Sequence, residues 1–149
     1  MPNLFTEDTY EQAIIELFEN MGYDHLYAPD FDRDYTSPIL DSILRDSLVR
    51  INRGLPVEAI DEAMSKLKNF DTGSLLQKNM IFMDYLQNGV TIKFFVKGEE
   101  QSSIVRLIDY QNVKSNSFYV VNQLTFLENG NNRRPDIILF INGLPLVLM

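Results

Sequence analysis

Cysteine and tryptophan are absent from the 149-residue sequence, and histidine occurs once, at His25. Without cysteine the chain forms no disulfide, offers no thiolate nucleophile and lacks the usual ligands of structural zinc. A serine–histidine–aspartate site would have to use His25, and no G-x-S-x-G turn accompanies it. A phosphate-binding loop of the G-x-x-x-x-G-K-[ST] kind is also missing. The lack of cysteine is compatible with the cytoplasm, which is where we expect this protein.

Positive charge is scarce as well. The chain has 13 Lys and Arg against 21 Asp and Glu, for a net charge of −8. A free-standing nucleic-acid binder usually has a basic footprint, so any action on DNA requires another domain or subunit for most of the phosphate attraction. The sequence also lacks an apolar run long enough to span a membrane, and its first residues do not resemble a signal peptide.

Hydrophobic periodicity predicts helices in the first half of the chain. A helical stripe predicts a first helix that begins at Asp8 and ends at Gly22, with Tyr10, Ala13, Ile14, Leu17, Phe18 and Met21 on its apolar face. Residues 23–36 read as an irregular loop. Further helices are predicted from Ser37-Pro38 to Gly54, from Pro56 onward, and from Ser74 to about Leu86.

The second half predicts strands. Its β-branched and aromatic runs are Thr91–Val96, Ser103–Ile108, Phe118–Phe126, Asp136–Ile141 and Leu144–Met149. Asn142-Gly143 predicts a tight hairpin, and Pro145 a position near a sheet edge or a strand start. We therefore predict one α+β domain, with helices over about 8–88 packed on a mostly antiparallel or mixed sheet over about 91–149.

Asp136 is the first candidate functional residue. It follows Pro135 at the start of a predicted apolar strand. A carboxylate there is costly to bury unless it binds a cation or accepts hydrogen bonds. The alternative is a structural aspartate at the strand start, paired with Arg133 or Arg134.

Two interpretations are possible for each of three further polar residues, Glu11, Asn122 and Gln123. Glu11 lies three residues after Asp8, which is the spacing of a helix capping box, and its functional reading is a second carboxylate near a metal. The amides of Asn122 and Gln123 interrupt an apolar strand and need partners. They either support a site or face solvent at an edge.

The acidic run Asp30, Asp32 and Asp34 has the spacing of a calcium-binding loop. An EF-hand needs Gly at its sixth position and Glu at its twelfth, where this sequence has Tyr35 and Asp41. We interpret the run as a solvated acidic loop.

Two blocks of the sequence resemble a known family. The blocks are TEDTYEQAIIELFENMGY and FYVVNQLTFLENGNNRRPDIILFINGLPLVLM, which together cover about a third of the chain. They look like the N-terminal nuclease region of the restriction, or R, subunit of type I restriction-modification enzymes. That family has a PD-(D/E)xK nuclease core, in which an Asp opens one strand and E-x-K ends the next.

This resemblance implies a role for several residues. Asp136, within Arg134-Pro135-Asp136, matches the family's aspartate, and the E-x-K is expected directly after Met149. Glu11 is a second expected metal ligand, because related nucleases often place a helical Glu near the metal. The implied cofactor is Mg²⁺, which polarises the phosphodiester and helps to generate hydroxide. Without E-x-K we expect weak Mg²⁺ affinity and no hydrolysis from this fragment.

The resemblance also implies partners. In the family, downstream helicase domains translocate double-stranded DNA with ATP, which this region does not bind. Separate methylation and specificity subunits find the recognition site and use S-adenosylmethionine. Two alternatives stay open: a non-catalytic nuclease-like module that docks subunits or DNA, and another PD-(D/E)xK nuclease, such as a repair or mobile-element enzyme.

Overall fold

The computed structural model describes residues 7–28, 39–69, 75–124, 126–128, 131–133 and 137–148. These segments form helices α1 (Glu7–Asn20), α2 (Asp41–Ile51), α3 (Val57–Lys68) and α4 (Leu75–Asn88). Their strands are β1 (Asp24–Tyr27), β2 (Val90–Val96), β3 (Glu99–Val105), β4 (Phe118–Asn122), β5 (Phe126–Glu128), β6 (Asn131–Arg133), β7 (Ile137–Ile141) and β8 (Leu144–Leu148). The predicted α+β class is confirmed.

The chain divides into two compact units. Unit 1 consists of Met1–Asp41 and Ser117–Met149, and unit 2 is Ser42–Asn116. Unit 1 contains a four-stranded sheet in the order β1-β4-β7-β8 and the small β5-β6 ribbon. Unit 2 contains the β2-β3 hairpin. That residues 1–149 are the front of one nuclease domain stays a prediction.

The β7-β8 hairpin forms as predicted. Asn142 and Gly143 have φ values of 55° and 85°, as a type I′ turn requires. Asn142 also accepts a hydrogen bond from the Ser117 backbone amide at 2.7 Å through Oδ1, which links the turn to the start of β4. Pro145 lies in β8, at the edge of the sheet in the described part of the chain, next to a register irregularity at Leu139/Phe140.

The prediction of an irregular loop over residues 23–36 is wrong for the first part of that range, because Asp24–Tyr27 form β1. This strand pairs in parallel with β4, and Leu26 lies opposite Val121. Its four residues contain too little apolar sequence to signal a strand, so the pairing depends on a partner about 95 positions away. Asp30, Asp32 and Asp34 lie outside the described residues. The helix start predicted at Ser37-Pro38 is wrong, because Ile39 and Leu40 are not helical and α2 begins at Asp41.

Two strand predictions also need correction. The run predicted as one strand from Phe118 ends at Asn122, because Gln123 has a φ of 60° and leaves the extended conformation. The strand predicted at Ser103–Ile108 is β3, which ends at Val105 and begins earlier, at Glu99, because Lys97 and Gly98, with φ values of 53° and 80°, form a two-residue turn. The exposed polar residues at the start of β3 concealed it in the sequence.

The buried face of α1 differs from the predicted stripe. Glu11 and Ile15 are buried, whereas Tyr10, Leu17 and Met21 are 66%, 57% and 65% exposed. The helix packs on β4 and β7 through Ile15, which joins the buried residues Val120, Ile137 and Leu139 in one cluster. A glutamate therefore occupies the core-facing side of the helix.

In unit 2, α3 packs on β2 and begins after Pro56 as predicted. Its apolar residues Ala59, Ile60, Ala63, Met64 and Leu67 are all buried. Helix α4 ends before Gly89, which has a φ of 83°, so the predicted Asn88-Gly89 stop is also confirmed.

Candidate functional site

The candidate site lies in unit 1, where β4 ends beside the first turns of α1. The side-chain amide of Gln123 donates to the carboxylate of Glu11, with Nε2 3.1 Å from one oxygen and 3.2 Å from the other. The two residues are 112 positions apart, and Glu11 is only 7% exposed. The fold thus brings a buried carboxylate to the end of a central strand.

The position of Glu11 follows from the packing of α1. Helix α1 begins at Glu7, so Asp8 lies inside the helix and the predicted capping box is wrong. One turn after Glu11, Ile15 packs against Val120, which fixes the helix over β4. At the other end of the helix, Tyr23 makes edge-to-face contacts with the rings of Phe18 and Phe118, at centroid distances of 5.3 and 5.5 Å.

A second polar pair lies next to the first. The side chain of Asn122, 5% exposed, accepts a hydrogen bond at Oδ1 from Nε2 of His25, at 2.6 Å. Parallel pairing of β1 with β4, with Tyr27 opposite Asn122, brings these two residues together.

The same end of the sheet contains the start of β7. Ile137 pairs with Asn122, and Ile138 pairs with Leu148 of β8. Asp136, which precedes Ile137 in the sequence, lies outside the described residues, as do Arg134 and Pro135. Three strand ends and the helix that contains Glu11 therefore meet around Asn122 and Gln123.

Comparison with known proteins identifies the family of this chain. The family model for the type I restriction enzyme R protein N terminus matches residues 4–149. The chain belongs to this family. The endonuclease subunit of type I restriction enzyme HindI from Haemophilus influenzae is 32% identical to it over 154 residues, covering 97% of the chain. A Methanocaldococcus jannaschii protein, which is named by inference from its sequence as the type I restriction enzyme MjaIXP endonuclease subunit, is also 32% identical. The match covers 93% of the chain.

The chain spans only a small part of these relatives. It covers 15% of the Haemophilus influenzae subunit and 14% of the Methanocaldococcus jannaschii protein. By the family match it corresponds to the N terminus of a type I restriction enzyme R protein. Among its described helices, none has both the length and the apolar character needed to cross a membrane.

The donor atoms of the site suit a hard divalent cation, but the described residues provide only part of a ligand set. Within them, no three His, Cys, Asp or Glu side chains converge to hold a metal ion. The buried carboxylate of Glu11 is the kind of oxygen ligand that Mg²⁺ prefers, and the amides of Asn122 and Gln123 supply further polar groups. The fit to Mg²⁺ is that of an incomplete site, which requires at least one further carboxylate.

Sequence reasoning found most residues of this candidate site but not their pairs. Asn122 and Gln123 both have side-chain partners, and the burial of Asn122 excludes an exposed edge position for it. The partner role of His25 was missed. A signal for Glu11 was available, because residues 11, 14, 15 and 18 have the spacing of one helix face, with a glutamate among apolar residues. The metal roles of Glu11 and Asp136 stay predictions.

Proposed function

We propose that this region is the front part of the nuclease domain of a type I R subunit, which cleaves double-stranded DNA with Mg²⁺. In the full complex this cleavage is coupled to translocation driven by ATP, which binds outside this region. The observation that supports the proposal is the meeting of Glu11 with the β4 and β7 ends. Ile137, which follows Asp136 in the sequence, pairs with Asn122 at the end of the sheet where the buried carboxylate of Glu11 lies.

In this proposal Asp136 and Glu11 are metal ligands. Mg²⁺, when bound, polarises the phosphodiester and helps to activate water. The chain orients Glu11 through Gln123 and anchors α1 through Ile15. Because Leu148 pairs with Ile138, β8 leads back toward the same end of the sheet, where an E-x-K after Met149 would supply the remaining carboxylate and a lysine. The 149-residue chain alone is expected to be inactive.

The charge distribution supports a dependence on partners. Unit 1 holds 3 of the 13 Lys and Arg and 12 of the 21 Asp and Glu, for a net charge of −9. Such a surface repels the phosphate backbone, so DNA must be delivered by other parts of the complex. We propose that the downstream helicase domains and the methylation and specificity subunits do so, in the cytoplasm.

The test is Asp136→Ala in the full-length R subunit, assembled with its partner subunits. The variant is expected to lose cleavage of DNA that contains a recognition site but to retain DNA-stimulated ATP hydrolysis. Asp24→Ala is the matched control, because Asp24 is an exposed aspartate on β1 in the same unit. Normal cleavage by the Asp136 variant would exclude its role as a metal ligand.

A second candidate function is a non-catalytic module that docks subunits or DNA. It is favoured by the absence of a three-ligand group among the described residues. In that case Asp136→Ala leaves cleavage intact, and deletion of residues 1–149 from the R subunit reduces its assembly with the other subunits.

A further inference from the structure

We propose that Gln123 makes the site prefer Mg²⁺ over Ca²⁺, by restricting Glu11 to coordination through one oxygen. The inference rests on the proposed function, because it requires a metal beside Glu11. It concerns a residue that neither binds the metal nor touches DNA in this proposal. Gln123 is a positioning residue that acts through the carboxylate of Glu11.

The geometry of the pair is the basis of this inference. Nε2 of Gln123 lies 3.1 Å from one oxygen of Glu11 and 3.2 Å from the other, so it is nearly equidistant from both. A cation that is chelated by both oxygens of a carboxylate occupies this same equidistant position. While Gln123 donates there, each oxygen of Glu11 keeps only its outward lone pair for a metal.

The backbone at Gln123 has an unusual conformation. Gln123 has a φ of 60°, in the left-handed region that side-chain-bearing residues rarely adopt, directly after the last residue of β4. Non-glycine residues in this conformation cluster at functional sites, where the surrounding structure holds them. The carboxylate is equally constrained, because Glu11 is buried on a helix that Ile15 anchors to β4.

The two cations respond differently to such a carboxylate. Mg²⁺ binds at about 2.0–2.1 Å with near-ideal octahedral geometry, to which one-oxygen carboxylates and waters are suited. Ca²⁺ binds at about 2.3–2.6 Å with six to eight oxygens and commonly takes both oxygens of one carboxylate. When the Gln123 amide occupies the position between the two oxygens of Glu11, Ca²⁺ loses one contact and Mg²⁺ loses none. The site therefore favours Mg²⁺.

The test measures cation binding rather than cleavage. The full-length R subunit is titrated with Mg²⁺ and with Ca²⁺ in a calorimeter, without nucleotide. The binding component that Asp136→Ala abolishes defines the nuclease site. In Gln123→Leu we expect Mg²⁺ affinity at this site to fall by roughly tenfold, as is typical when a partner of a metal ligand is lost. Ca²⁺ affinity is expected to stay unchanged or to rise.

Two further variants separate selectivity from folding. Gln12→Leu is the matched control, since Gln12 is an exposed glutamine on α1 next to Glu11, and it is expected to leave both affinities unchanged. Gln123→Gly removes the amide but suits a φ of 60°, so it replaces the leucine variant if that variant does not fold. It is expected to reduce the Mg²⁺ to Ca²⁺ affinity ratio in the same direction.

The outcomes are distinguishable. A reduced Mg²⁺ to Ca²⁺ affinity ratio supports the inference. If both affinities fall equally or neither changes, while the native protein still shows a component that Asp136→Ala abolishes, the inference is overturned and the proposed function stands. If Asp136→Ala abolishes no binding, both are overturned.

Discussion

Buried polar groups serve different purposes in the two units. In unit 2, the buried side chains of Asn52 and Asn116 bind backbone atoms: Asn52 contacts the amide and carbonyl of Arg106, and Asn116 those of Asp109. In unit 1, Glu11 and Asn122 bind other side chains instead. Two buried side chains depart from this division: Asn142 in unit 1 binds the backbone of Ser117, and Ser47 in unit 2 accepts from Nη2 of Arg50 at 3.3 Å.

This difference distinguishes side chains that the fold requires from side chains that belong to the candidate site. A buried backbone amide or carbonyl cannot be mutated away, so a side chain that satisfies it is required by the fold. A pair of polar side chains can be replaced by apolar residues of similar volume, often at little cost in stability. We therefore expect the Glu11–Gln123 pair to be dispensable for folding, and propose that it is present for the site.

Charge follows the same division. Unit 2 holds 10 Lys and Arg and 9 Asp and Glu, so its net charge is +1 against −9 for unit 1. The surface ion pair Arg45–Asp61, at 2.6 Å, belongs to the nearly neutral unit and is half-exposed. The acidity of the whole chain thus comes from the unit that holds the candidate site.

The largest expected loss of stability is that of Asn52→Ala in unit 2. Asn52 donates to the carbonyls of Leu48 at 2.9 Å and Arg106 at 2.8 Å, and accepts from the Arg106 amide at 2.8 Å. The Leu48 carbonyl keeps the Asn52 amide as a donor, but the part-buried amide and carbonyl of Arg106 lose this partner, and we expect a cost of about 3 kcal/mol in urea unfolding of the 149-residue chain. Asn69→Ala is the control, since Asn69 is exposed. If both substitutions had an equally small effect, buried asparagines of unit 2 would not be required by the fold.

Gly89→Ala is expected to have the next largest effect. A Cβ at Gly89 would lie 2.7 Å from Cγ2 of Ile104 and 2.9 Å from the carbonyl oxygen of Val105. Together with the strain at a φ of +83°, this clash should cost about 2 kcal/mol in the same unfolding experiment. Gly98→Ala has nearly the same φ, +80°, with nothing within 4 Å, so it should cost only about 1 kcal/mol. Equal losses from both would show that strain alone decides the cost.

The sequence predicted those parts of the fold that local signals determine. Helix α3 follows Pro56, and the β7-β8 hairpin turns at Asn142-Gly143, because each signal lies within a few residues of its effect. Strand β1 could not be predicted, since its partner β4 lies far along the chain. The same limit applied to the site: Glu11 and Asp136 were identified as candidates, but the pair of Glu11 with Gln123 depends on packing across 112 positions.

The smallest expected change in stability is that of the double variant Glu11→Leu/Gln123→Leu. Both members of the pair become apolar, so no buried charge is left without a partner, and we expect the free energy of unfolding to stay within about 1 kcal/mol of the native value. In the full-length R subunit, the same variant should lose the Mg²⁺ binding that depends on Asp136, along with DNA cleavage.

The single variant Gln123→Leu is the control for this last prediction. It leaves the buried carboxylate of Glu11 without the amide at 3.1 Å, so it should destabilise the chain more than the double variant does. If the double variant were instead the less stable of the two, the pair would be part of the scaffold, like Asn52. Unit 1 and unit 2 would then use their buried polar groups in the same way.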